Sequence, residues 1–204
     1  MTVKPSDTYK TIQKASKGIL YKEKKSKFYA YAFPISNEDE VKPIIDALKQ
    51  KYPSASHVCY AWQLGVDHKT YRTNDDGEPN NTAGMPIYGQ LQSFAVTNVL
   101  VAVVRFFGGT KLGVGGLISA YRQGAKMALE TSKIVEKKLQ QRFRLTFRYE
   151  NMDIVMRSIK QKQLKVIFQS FELECKIVVS VRRKDEKEIQ EFFQAINGIE
   201  ITMV

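Results

Sequence analysis

The sequence predicts an α+β protein of two domains, and three observations carry that expectation. A β-branched and aromatic run from Val99 to Phe107 reads as a strand buried on both faces. It leads through a loop holding five of the chain's twelve glycines into a segment with the apolar period of an amphipathic helix. Residues 142–204 then alternate strand and helix patterns in the order βαββαβ, the split-βαβ arrangement.

Taken in order, residues 17–22 and 26–35 read as two strands, with Glu23, Lys24 and Lys25 as the polar turn of a hairpin. Ser36 offers a helix cap ahead of a stripe of Val41, Ile44, Ile45 and Leu48. Pro43 inside that pattern makes the regular helix start later than Ser36 implies, or bend. Residues 56–66 form a strand with Val58, Tyr60, Trp62 and Leu64 on one face and His57, Cys59, Ala61 and Gln63 on the other. His57 reads as a satisfied rim histidine or, less economically, as a catalytic base, since no nucleophile or carboxylate stands at a recognisable spacing from it.

Arg72 to Pro86 is the most polar stretch and reads as turns. It precedes a helix with Ile87, Leu91, Phe94 and Ala95 as its stripe and Pro86 in its first turn. After the glycine loop, Leu117, Ala120, Tyr121, Gly124, Ala125 and Ala128 mark the long helix. A charged segment from Thr131 to Leu139 is the expected boundary, giving domains of residues 1–134 and 135–204. Beyond it, strands are expected at 142–149, 164–171, 173–182 and 198–204, and helices at 151–162 and 184–196.

The composition, 43% apolar and 26% charged, is that of a globular chain, with no apolar run of membrane-spanning length and no apolar core in MTVKPSDTYK. A cytoplasmic protein is expected. Two distant cysteines and two histidines exclude a structural zinc site, and no metal or cofactor is expected. The net charge of +11 favours an acidic partner such as RNA.

Two blocks bear chemistry. Gly108, Gly109, Gly113, Gly115 and Gly116, with Arg105 before them and Lys111 among them, read either as an anion cradle at a helix N-terminus or as a packing crossover; neither nucleotide-loop spacing is present. Asp75, Asp76 and Glu78 could bind a divalent metal or serve as acid and base, or could simply solvate a turn. On strand 142–149, Arg142, Arg144 and Arg148 share a face that could follow a phosphate backbone or just meet water. That strand carries no outward aromatic for base stacking.

The combination of His57, Cys59-Tyr60-Ala61-Trp62, Asp75-Asp76-Gly77-Glu78-Pro79, Thr82-Ala83-Gly84-x-Pro86 and Arg105-Phe106-Phe107-Gly108-Gly109-x-Lys111-Leu112-Gly113-x-Gly115-Gly116-Leu117 resembles the IMPACT/YigZ family. Asn81, Phe106 and Thr110 depart from the family's usual glycine, tyrosine and branched aliphatic; Asn81 can still take positive φ. The resemblance implies an N-terminal domain like domain 2 of a small-subunit ribosomal protein and a C-terminal ferredoxin-like domain like domain V of the translocation factor. It implies a translation-associated regulator with RNA, the ribosome or a protein of the translation machinery as partner, and no securely attached enzymatic activity. A phosphoester hydrolase and a pure protein-interaction module are the competing readings. If the acidic and basic blocks meet at one rim of a sheet, they make a preformed polar site with Thr82 and the loop amides as further anion donors; if not, the glycines are packing devices.

Overall fold

The computed structural model describes residues 7–204. Its chain divides into two compact units, Tyr9–Lys137 and a second that joins Lys138–Val204 to Asp7 and Thr8. None of the described helices is long and apolar enough to cross a membrane.

The first unit opens with β1 (Thr8–Ile12), followed by β2 (Ile19–Glu23) and β3 (Ser26–Pro34). The last two form the expected hairpin, and its two turn residues, Lys24 and Lys25, both take positive φ, as a two-residue turn matching strand twist requires. Asn37, not Ser36, caps the next segment, accepting from the Glu40 amide; a short 3-10 turn precedes α1 (Val41–Lys51). Pro43 therefore falls in the first helical turn, where its missing N–H costs nothing.

β4 (His57–Leu64) is followed by β5 (Thr70–Asn74), a strand absent from the sequence expectation, and by α2 (Gly84–Ser93). β6 (Val99–Phe106), α3 (Gly113–Glu130) and β7 (Ile134–Lys138) complete the unit. The sheet order is β2-β3-β6-β4-β5, with every pair antiparallel, while β1 and β7 make a separate two-stranded ribbon. Part of the segment expected as a boundary is thus strand β7.

Alternation explains the layering. Val99, Val101 and Val103 of β6 pack with Cys59 and Ala61 against α2 and α3, whereas Leu100, Ala102 and Val104 pack with Val58 and Trp62 against α1. Helices cover both faces, so the central strand reads as a continuous apolar run although its neighbours are antiparallel.

The second unit contains β8 (Gln140–Phe147), α4 (Met152–Gln161), β9 (Lys165–Phe171), β10 (Cys175–Arg182), α5 (Glu186–Gln194) and β11 (Ile199–Met203). The sheet order β11-β8-β10-β9 is that of a ferredoxin-like βαββαβ unit. Phe143, Leu145, Ile177 and Val179 face Val155, Ile159, Ile189 and Phe193 of the helices, so one side of the sheet is core and the other is open.

Candidate functional site

In the first unit the two chemical blocks do converge. Register places Arg105 opposite Phe28 on β3 and opposite His57 on β4, on the face toward α2 and α3. The loop after β5 folds back over this row. Glu78 Oε1 accepts from Arg105 Nη1 at 2.6 Å and from Tyr121 Oη at 2.7 Å. The Arg105 and Glu78 side chains are only 7% and 4% exposed, so the pair is buried. Arg105 also reaches Ser26 Oγ at 3.4 Å and lies over the rings of Phe28 and Phe107, while its Nε is buried without a partner.

The Cys59 thiol lies 3.0 Å from the Asp75 carbonyl and 3.3 Å from Tyr121 Oη. Burial pushes the Cys59 thiol up, out of the range where a thiolate forms at neutral pH, with Glu78 and both aspartates adding to the effect. Burial first, and then Cys59 and Glu78, push the Tyr121 phenol up as well. These groups are hydrogen-bond donors held in place, not poised nucleophiles.

Both aspartates are equally occupied. Asp75 Oδ1 accepts from the amides of Ala83 and Gly84 and its Oδ2 from the Asn81 amide, so it serves the N-terminus of α2. Asn81 takes φ 62°, a left-handed conformation that asparagine tolerates. Asp76 accepts from the Val58 amide at 2.7 Å and pairs with Lys49 at 3.0 Å. His57 Nδ1 meets the Asp76 carbonyl at 2.7 Å, with its Nε2 3.9 Å from Glu78, which makes it a satisfied rim histidine. Among the described residues no three histidine, cysteine or acidic side chains gather as metal ligands.

The glycine loop divides into different roles. A Cβ on Gly108 would lie 2.1 Å from the Lys25 carbonyl carbon and 2.3 Å from the Ser26 amide nitrogen, so Gly108 lets the loop touch the hairpin turn. The amides of Phe107 and Gly108 donate to Ser56 Oγ and Ser26 Oγ. Gly109, Gly113 and Gly115 have open space where a Cβ would sit, and a Cβ on Gly116 would touch Leu112 at 3.0 Å. Lys111 is exposed and has no carboxylate of the described residues within ion-pair range. Thr82, expected as an anion donor, gives its hydroxyl proton to the Pro79 carbonyl at 2.7 Å.

In the second unit Arg142 and Arg144 are exposed on β8, across from Ser180 and Val178 of β10. Arg148 is also exposed but lies beyond the strand, at the start of a 3-10 turn. Sequence patterns give Tyr121, Cys59 and Ser26 no part in the site, because they look like ordinary core or turn residues; a buried Tyr hydroxyl on a helix stripe is the one signal that asks for a partner. Nor do they single out Lys176, on the same open face.

These features define a two-domain α+β protein with a buried polar cluster in one unit and a basic open sheet face in the other. The chain belongs to the IMPACT family: the Impact N-terminal domain family model matches residues 24–129. It is 32% identical over 187 residues to the IMPACT family member YvyE of Bacillus subtilis (strain 168), covering 91% of this chain and 83% of that one. It is 37% identical over 108 residues to the IMPACT family member YigZ of Escherichia coli (strain K12), covering 52% of this chain and 53% of that one. A solved structure described as the crystal structure of a hypothetical protein shares the fold, with TM-score 0.76 at 24% identity over 98% of each chain.

Proposed function

We propose that the protein is a cytoplasmic, non-enzymatic regulator of translation that binds RNA or the ribosome through the open face of its C-terminal sheet. The observation that carries this is the pair of exposed arginines, Arg142 and Arg144, beside exposed Lys176 on the neighbouring strand. These are cations on a surface no helix of their own unit covers, in a chain of net charge +11. Family membership supports the translational context. The polar cluster around Glu78 supports a structural rather than catalytic role for the N-terminal motifs, because each carboxylate is already taken up by protein donors.

The test is co-sedimentation with ribosomal particles, and binding to structured RNA, across about 50 to 200 mM salt. Affinity is expected to fall steeply with salt, and the triple variant R142A/R144A/R148A to bind weakly with a salt slope reduced by about 2. Salt-insensitive association, or none, overturns the reading. Association that survives nuclease treatment of the particles assigns the contact to a protein of the translation machinery.

A further inference from the structure

The open face of the C-terminal sheet carries more than charge. Register aligns Thr202 of β11, Arg144 of β8, Val178 of β10 and Phe168 of β9 in one row. Directly opposed residues of antiparallel strands point to the same side. Phe143 and Leu145, which flank Arg144, are fully buried, so the row points away from the core, and Phe168 is 55% exposed. An aromatic therefore joins the basic face from the edge strand, although strand 140–147 has none pointing outward.

A β-bulge produces this arrangement. Val178 pairs with Phe168 but Val179 pairs with Val166, so Ile167 is an extra residue on β9. Two residues apart on a regular strand, Val166 and Phe168 would face the same way. The bulge instead turns Val166 toward the core and leaves Phe168 outside, re-aiming one side chain as bulges do beside functional surfaces. Cations lie on the inner side of the ring: Arg144 is two strands away, about 10 Å between backbones, and Arg142 follows Arg144 at about 7 Å along β8. Lys176 stands one row along the adjacent strand, opposite Ser170.

We propose that this face binds single-stranded RNA, with Phe168 stacking on one base while Arg144, Arg142 and Lys176 hold neighbouring phosphates. The inference rests on the RNA reading above and narrows it. A cation ladder alone suits any polyanion. An exposed ring beside the ladder suits unstacked bases, which a duplex keeps inside its helix and an acidic peptide lacks.

The experiment measures anisotropy of a fluorescein-labelled single-stranded RNA of mixed sequence, and of the same strand in a duplex, with the full chain at one fixed salt concentration. F168A is expected to weaken single-strand binding about tenfold and change duplex binding less than about twofold, while F168W binds as the parent does. R142A/R144A is expected to weaken both. If F168A leaves single-strand affinity unchanged while R142A/R144A lowers it, the stacking proposal is overturned and the RNA reading stands. If neither variant changes RNA binding, both fall.

Discussion

Replacing Arg105 with methionine removes the cation that pairs with the buried Glu78 carboxylate while keeping much of the side chain's volume. In the native protein Glu78 and Arg105 meet at 2.6 Å with 4% and 7% of their side chains exposed, so water cannot take the arginine's place. Breaking one side of such a pair costs about 3–5 kcal/mol, because the remaining charge stays desolvated. The remaining donor to Glu78, the Tyr121 hydroxyl, is neutral and offsets little of this. With a urea slope of about 2 kcal/mol per molar, the midpoint of the N-terminal unit should fall by roughly 2 M. Trp62 is the chain's single tryptophan, is 4% exposed, and lies on β4 of that unit, so its fluorescence follows this transition alone. The double variant E78Q/R105M should recover a large part of the loss, since it leaves no unpaired charge. A loss under about 1 kcal/mol for R105M, or a double variant no more stable than R105M, refutes the account of a buried, mutually dependent pair.

The other predictions concern packing and protonation. Gly108→Ala forces the loop off the Lys25–Ser26 backbone and should cost about 1–3 kcal/mol, whereas Gly115→Ala, helical and facing open space, should gain about 0.5–1 kcal/mol; equal effects on the Trp62 transition would contradict the division of roles. Cys59 and Cys175 are fully buried free thiols, so Ellman's reagent should label neither until denaturant is added, and prompt labelling of the native chain would be inconsistent with that burial. Burial, then the hydroxyl of Tyr31, push the Tyr52 phenol up to about 12. The folded state then keeps a proton that the unfolded chain releases near pH 10, so this stabilisation is complete below about pH 10 and is lost as pH rises toward 12. The Trp62 urea midpoint should be lower at about pH 11 than at about pH 9, with a smaller drop in Tyr52→Phe; identical drops in the two proteins would argue against the Tyr52 contribution.

Much of the architecture was written in local patterns. The buried strand 99–106, the long helix after the glycines, the hairpin at 24–25 and the βαββαβ order all follow from apolar period and turn chemistry, which act over a few residues and so survive in one sequence. The late start of α1 followed from proline's missing N–H. The edge strand β5, TYRTN, escaped notice because a strand with water along one side needs no apolar alternation and is defined by its pairing with β4. Likewise, Glu78 and Arg105 could be singled out by type, but only the sheet register and the returning loop bring residues 27 apart to one point. In a linear pattern Tyr121 and Cys59 are apolar-stripe residues, and although a buried Tyr hydroxyl asks for a partner, only the fold decides that the partners are Glu78 and Cys59. Lys111 shares a motif with Arg105 but not its environment, since the loop leaves one in water and the strand buries the other. Phe168 points outward because a bulge interrupts the two-residue period, and a bulge arises from pairing with another strand, which only the tertiary structure decides.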